Sequence, residues 1–301
     1  MMTKTDIAVL LALASALCVA MGDVLQQRAA HCLEDRSVGH VALFASLLRN
    51  RRWWWGALLL AGSVALQAAA LGQGSVLLVQ ALLMFSLLFA LPINARLFHR
   101  RVTGAEWMWA GLLTAAVTVI VVVGNPQAGH ASAPLGTWAA VAVTLGPLLV
   151  ACIVAGRIFG GAAAAVLFAL VSGSLWGVFA VLAKQVVARL GDGGWAVIRT
   201  PELYAAILVV VGGVLWSQAA FRAGPLTASM PTLEVSQPVV GAGLGVVVLD
   251  ETLDAGRAGM VALAVAVLVV AVSIVQLARV EAVATRDRVE AELHDRVGQP
   301  A

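Results

Sequence analysis

The chain has 301 residues, of which 61% are hydrophobic and 12% are charged, and its net charge is +3. Soluble domains have about 45–50% apolar and about 25% charged residues, so this composition excludes an ordinary soluble domain. The basic residues lie at the ends of apolar segments and form no compact patch, which excludes a nucleic-acid-binding surface.

Nine apolar runs are long enough, or nearly long enough, to cross a bilayer as helices of about 20 residues. They are residues 7–27, 53–72, 75–98, 104–124, 135–155, 162–184, 202–221, 226–249 and 256–278. Their continuous apolar character excludes the alternation typical of barrel strands. The sequence therefore predicts an all-α, polytopic membrane protein with about nine transmembrane helices. The first run is interpreted as a retained helix and not as a cleaved signal peptide, because no small-residue cleavage site follows it.

Between spans 1 and 2 lies a further apolar segment, Val38–Leu48, of only eleven residues. It is too short to span, and it is interpreted as an interfacial or re-entrant helix. Whether it crosses the membrane stays open. A crossing would reverse the orientation of the first half.

Polar side chains inside apolar spans are unfavourable in lipid and are expected to face a cavity or a partner. The candidates for substrate or ion binding are, in chain order, Asp23, Gln27, Gln67, Gln80, Lys184, Gln218 and Glu234. Asp23 has an equal alternative in pairing with an arginine near the interface. The glutamines are equally compatible with hydrogen bonds that hold helices together.

Glu234 has the most informative surroundings, since it lies between Pro231 and Pro238 in span 8. Each proline removes a backbone donor, so a helix break is predicted here. Freed carbonyls beside a buried carboxyl group favour a cation or proton site, with a protonated structural glutamate as the alternative. The acidic turn that follows this span, Asp250-Glu251-Asp254, is interpreted as solvated.

The two halves of the chain resemble each other. Leu17–Gln27 is similar to Leu175–Gln185 at an offset of 158, and Gln67 corresponds to Gln218 at an offset of 151. Five helices separate equivalent positions, so the second copy is inverted in the membrane. The predicted organisation is a first repeat at 1–134, a connecting helix at 135–161, a second inverted repeat at 162–278 and a charged tail at 279–301. Inverted repeats are typical of alternating-access transporters.

The basic residues divide fourteen to five between the two predicted sides. The positive-inside rule then places the N-terminus outside and the C-terminus in the cytoplasm. Charges four residues apart in the tail favour a short solvated helix there.

Two stretches resemble a known superfamily. Trp53–Gln127 is similar to the first half of NIPA-type proteins in the drug/metabolite transporter superfamily, and Met230–Leu253 resembles the proline-bearing helix and acidic turn of EamA-type members. The resemblance implies a secondary transporter of small metabolites or, on the NIPA side, of magnesium. NIPA-type proteins typically carry a glutamate after a glycine in the second span, whereas Ser63 follows Gly62 here.

The predicted function is therefore secondary active transport of a small metabolite in the plasma membrane, with coupling to protons as one mechanism. The alternatives are a magnesium or other divalent cation transporter and, from another class, a non-transporting scaffold or lipid-handling protein. An enzyme is not expected, because no nucleophile or acid–base cluster has catalytic spacing. No cofactor or metal site is expected, since the histidines lack ligand spacing. The expected partners are a small-molecule or ion substrate and the lipid bilayer, with no nucleic acid and with a homodimer left open.

Overall fold

The computed structural model of the chain describes residues 3–31, 51–97, 102–224 and 226–297, almost entirely as α-helix. The helices of this part are α1 (Lys4–His31), α2 (Arg51–Gln73), α3 (Val76–Leu83), α4 (Phe85–Leu97), α5 (Gly104–Gly124), α6 (Leu135–Phe159), α7 (Gly161–Arg189), α8 (Gly194–Ile198), α9 (Pro201–Ala223), α10 (Leu226–Leu249) and α11 (Arg257–Val297). A short 3-10 helix, Leu190–Asp192, follows α7, and there are two short strands, β1 (Pro126–Gln127) and β2 (Thr252–Leu253). The segment Val38–Leu48 lies outside the described residues.

Nine stretches of the described helices are long and apolar enough to cross a membrane, as the sequence predicts. They are Lys4–Gly22, Trp54–Gln73, Val76–Ile93, Gly104–Gly124, Leu135–Phe159, Gly161–Arg189, Pro201–Ala223, Thr232–Leu249 and Arg257–Leu277. Large apolar side chains remain exposed on their outer faces, for example Leu135, Ile158 and Leu208. This surface is the one expected of a multi-pass membrane protein, whose outer faces contact lipid.

The predicted break in span 8 is wrong, because α10 runs without interruption from Leu226 to Leu249 through both Pro231 and Pro238. A proline removes one donor from the ladder, and neighbouring groups in a helix bundle compensate for such a loss. The interruption occurs in span 3 instead, where Met84 separates α3 from α4. Neither proline nor glycine lies within two residues of Met84.

Helix α7 forms the centre of the bundle, since 72% of its apolar stretch is buried. It packs against α9 and α10, and also contacts α6 and α2. On the other side of the molecule α1 packs against α2 and α4, while α5 packs against α11. The close approach of α7 and α10 follows from Gly173 and Gly177 on α7, where an added Cβ atom would lie within 3 Å of backbone atoms of α10.

Contacts between helix ends define two ends of the bundle. At the first, here called the Lys184 end, the turn at Gly74 touches Ala8 near the start of α1, and Gly72 touches Val187 near the end of α7. At the second, here called the Gly160 end, the turn at Gly224 lies against Gly161 at the start of α7. Helices α1 and α7 therefore run in opposite directions.

The strands close the Lys184 end. β1 follows α5 and pairs in antiparallel fashion with β2, which follows α10. The pairing is extended by the backbone N–H of Asp254, which donates to the Gly124 carbonyl at 3.0 Å. The loop after span 4 is thereby joined to the loop between spans 8 and 9.

The last helix is longer than a bilayer requires. α11 contains 41 residues, which corresponds to about 61 Å at 1.5 Å per residue. Its apolar part ends at Leu277. The tail, predicted as a short solvated helix, therefore continues the last span without a break.

Candidate functional site

The principal polar cluster of the described residues surrounds the carboxylate of Glu251, just beyond the end of α10. Lys184 on α7 donates from Nζ to Glu251 Oε1 at 2.5 Å. The backbone N–H of Val76 donates to the same oxygen at 2.7 Å, and the N–H of Leu77 donates to Oε2 at 2.9 Å. The side chains of the ion pair are 7% and 0% exposed. One carboxylate thus joins three segments that are far apart in the chain.

The start of α3 explains why a carboxylate binds here. The first N–H groups of a helix have no partner within the helix, and the positive end of its dipole favours an anion. Ser75 satisfies the N–H of Leu78 through its side-chain oxygen at 3.1 Å, and Glu251 satisfies those of Val76 and Leu77. Because hydrogen bonds to charged groups in a poorly solvated site are strong, we infer that this junction is held firmly.

The local backbone directs Glu251 inward. Asp250 adopts the left-handed conformation with φ of 53°, which ends α10, and the N–H of Glu251 returns to the Gly245 carbonyl at 3.1 Å. A side chain at Gly245 would lie 3.0 Å from Glu251 Oε2 and 3.3 Å from the Val76 Cβ atom. Glycine at this position therefore allows the carboxylate to reach the start of α3.

The neighbouring Asp250 is solvated. Its Oδ2 atom lies 3.0 Å from Nδ1 of His130, and both side chains are 71% exposed. The backbone N–H of His130 also donates to the Leu249 carbonyl at 2.6 Å. These contacts hold the loop after β1 against the end of α10, on the outside of the buried pair.

One turn deeper, Gln80 on α3 lies between α3 and α10. Its amide packs directly against Gly241, leaving no space for a side chain at that position. Gly241 in turn lies against Gly177 on α7. Gln80 is only 1% exposed, and within the described part of the chain neither of its amide atoms has a hydrogen-bond partner.

The other predicted residues fall in different environments. Gln67 on α2 is buried, and its Nε2 atom lacks a hydrogen-bond partner among the residues that the structure describes. Gln218 on α9 is exposed and does not belong to the cluster, whereas Glu234 is half-buried on α10. Asp23 and Gln27 lie on α1, and their side chains are outside the described part.

The structure thus brings Lys184 and Gln80 to one junction of α3, α7 and α10. Glu234 shares the face of α10 that carries Gly241 and Gly245, because these positions are 7 and 11 residues further along the helix. It is about 16 Å from Gly245 along the axis. The buried partner of Lys184 is Glu251 at the end of the bundle.

The interpretation of the whole acidic turn as solvated is wrong for Glu251, although Asp250 and Asp254 are exposed. Local sequence does not distinguish the three carboxylates, because burial of Glu251 depends on partners 67 and 175 residues away. One available signal was the position of Lys184 seven residues after Gly177, which places it on the close-packed face of α7.

A metal-binding cluster is not found in the described ranges, where no group of three or more His, Cys, Asp and Glu side chains could hold an ion. Gln185, the residue after Lys184, makes a hydrogen bond to another side chain. Trp138 on α6 donates from Nε1 to Gln185 Oε1 at 3.2 Å. This bond joins the connecting helix to α7.

Comparison with known proteins identifies one relationship across nearly the full length. The chain is 35% identical over 286 residues to an uncharacterized protein of Corynebacterium glutamicum, covering 92% of this chain and 96% of that protein. No family model matches the chain. No solved structure matches it either. The chain therefore belongs to the same family as the Corynebacterium glutamicum protein.

Proposed function

We propose that this protein is a secondary active transporter of a small metabolite that works by alternating access in the plasma membrane. The observation that carries the proposal is a pair of equivalent hydrogen bonds in the two halves. Ser15 on α1 donates to the Ser63 carbonyl on α2 at 2.8 Å, and Ser172 on α7 donates to the Gly213 carbonyl on α9 at 2.8 Å.

These bonds support an inverted repeat. The donors are 157 residues apart and the acceptors 150, each one fewer than the offset found in the sequence. Gly74 and Gly224 are also 150 residues apart, and each lies against the start of the first helix of its own block. The opposite directions of α1 and α7 support opposite orientations for the two blocks. With this register Gln67 corresponds to Ser217, the neighbour of the predicted Gln218.

We place the proposed binding site between the two repeats, at the level of Met84 and Glu234. Met84, where span 3 is interrupted, corresponds to Glu234 at the offset of 150. In transporters built from inverted repeats, the substrate and coupling-ion sites lie near the membrane midplane at the interface between the repeats. The proposal assigns proton coupling to Glu234 and substrate contacts to polar residues of other spans, with Asp23, Gln27, Gln67 and Gln80 as the candidates, whereas Gln218 is exposed.

The proposed orientation has the N-terminus outside and the C-terminus in the cytoplasm. It is supported by the division of basic residues, fourteen against five, and by the positive-inside rule. The Lys184 end of the bundle is then the outer end. Magnesium transport is the less favoured function, because Mg²⁺ is bound through carboxylates and retained water, and Ser63 stands where NIPA-type proteins carry a glutamate.

The test is gradient-driven uptake by the purified full-length protein in liposomes, with a panel of metabolites and divalent cations. We expect a metabolite to accumulate when a proton gradient is imposed. Glu234→Gln preserves shape but removes titration, so it is expected to abolish gradient-driven uptake while exchange of substrate continues. Asp254→Asn, which alters an exposed carboxylate, is the matched control and should transport normally. Unchanged proton-driven uptake in Glu234→Gln would remove this residue from the mechanism, and movement of no solute would favour a scaffold or lipid-handling protein.

A further inference from the structure

We propose that the Glu251 carboxylate is the gate of the Lys184 end, and that its release from Lys184 and from the start of α3 opens this end of the bundle. The inference rests on the proposed transport function, since only a transporter needs to open and close at this position. It assigns to Glu251 a positioning role in the transport cycle and no contact with substrate.

The carboxylate joins segments of the two proposed repeats. Val76 and Leu77 belong to the first proposed repeat, whereas Lys184 and Glu251 belong to the second. A cavity between two repeats can open at one end only if the repeats separate there. Two hydrogen bonds of the Glu251 side chain, to the N–H groups of Val76 and Leu77, cross that boundary, and Lys184 holds the carboxylate from within the second repeat, so the Lys184 end is closed in this structure.

The layer beneath the gate depends on the same closure. The Gln80 amide packs on Gly241, and Gly241 packs on Gly177, so α3, α10 and α7 meet one turn below Glu251. Separation of α3 from α10 would expose the Gln80 amide, whose atoms lack a hydrogen-bond partner among the described residues. Gln80 is therefore a sensitive reporter of opening.

The chemistry of the contact suits a two-state gate. In the closed state the carboxylate is satisfied by one ammonium group and two backbone N–H groups, and the Lys184 and Glu251 side chains are buried. Loss of one partner leaves a buried charge without compensation, which favours entry of water and complete separation over a partly open state. The contact is therefore expected to break as a unit.

The experiment measures thiol reactivity and needs no substrate. Gln80→Cys is introduced into the full-length chain after Cys18, Cys32 and Cys152 have been changed to Ala. The purified protein in detergent is treated with a water-soluble, positively charged methanethiosulfonate. The parent is expected to react slowly, because Gln80 is 1% exposed. Addition of Glu251→Gln or Lys184→Met should raise the rate roughly tenfold, as when an open state of about 1% becomes about 10% populated.

Two controls separate gating from general loss of structure. Asp254→Asn changes an exposed carboxylate in the same turn and should leave the rate unchanged. Ala164→Cys, at a position 3% exposed near the Gly160 end of α7, reports unfolding and should stay slow in all backgrounds. An unchanged rate at position 80 in both gate variants would overturn the proposal, and so would an equal rise at positions 80 and 164.

This outcome is independent of the transport assay. A selective rise at position 80 together with no solute movement in liposomes would support the opening of this end and contradict the proposed function. Transport without a rise at position 80 would support the proposed function and contradict the gate.

Discussion

The three carboxylates in the turn after α10 differ in burial, and the difference arises from their partners. Asp250 faces solvent beside His130, and Asp254 is exposed and donates its backbone N–H to the Gly124 carbonyl. Glu251 is fully buried because Lys184 and two helix-start N–H groups replace the water that it loses. A buried ion pair contributes little net stability, but loss of one partner is strongly destabilising.

This asymmetry predicts the result of a double-mutant cycle. Lys184→Met and Glu251→Gln should each lower the free energy of unfolding by about 3–5 kcal/mol, because each leaves a buried group unpaired. The double variant should lose less than the sum, with a coupling of about 0.5–3 kcal/mol. Unfolding in mixed detergent, followed by tryptophan fluorescence, measures the four values. Additive losses would show that the pair has no mutual stabilisation.

At the scale of elements, the close contact of α7 and α10 determines where the polar cluster can form. The spacing Gly173-xxx-Gly177 and Gly241-xxx-Gly245 predicts close packing of membrane helices, and the structure contains this packing. A methyl group on Gly177 would lie 2.7 Å from the backbone nitrogen of Gly241 and 2.9 Å from the Gln237 carbonyl oxygen. Both neighbours are backbone atoms, which cannot rotate away.

Gly177→Ala should therefore separate α7 from α10 and lower the free energy of unfolding by about 1–3 kcal/mol. Gly111→Ala in α5 is the matched control, since a methyl group there meets no atom within 4 Å. Its stability should be unchanged or higher by up to about 1 kcal/mol, because alanine favours a helix more than glycine does. Thermal unfolding of both variants in one detergent makes the comparison. Equal stability of the two variants would contradict the role assigned to Gly177.

Across the whole molecule, the sequence predicts the spans well because length and apolar character are local properties. The nine predicted runs correspond to the nine described helical stretches, with bounds that differ by a few residues. The interruption at Met84 was not predicted, since no proline or glycine marks it. The expected break at Pro231 and Pro238 did not occur. Both features depend on the packing of neighbouring helices.

The candidate site could be predicted only in part for the same reason. Lys184 and Gln80 are conspicuous as polar residues in apolar spans, and the structure places both at the junction of α3, α7 and α10. Glu251 was not distinguished from Asp250 and Asp254, because its partners are distant in sequence. The role of Glu234 stays a prediction that transport measurements test.

The topology of the whole chain leads to the last prediction. Nine alternating spans place the two termini on opposite faces of the membrane. The loop after span 4 should share a face with the N-terminus, and the turn after span 5 should share a face with the C-terminus. Single cysteines at Thr3, Ser132, Gly160 and Gln299, in a chain without native cysteines, sample these four positions.

Because the basic residues divide fourteen to five, an impermeant maleimide added to intact cells should label positions 3 and 132. Positions 160 and 299 should react only after the membrane is permeabilised. The reverse pattern at all four positions would refute the orientation while retaining nine spans. Labelling of positions 3 and 299 from the same face would refute an odd number of spans. A crossing at Val38–Leu48 would account for that result. Spans 2–4 would then stay inverted relative to spans 7–9, but span 1 would no longer be inverted relative to span 6.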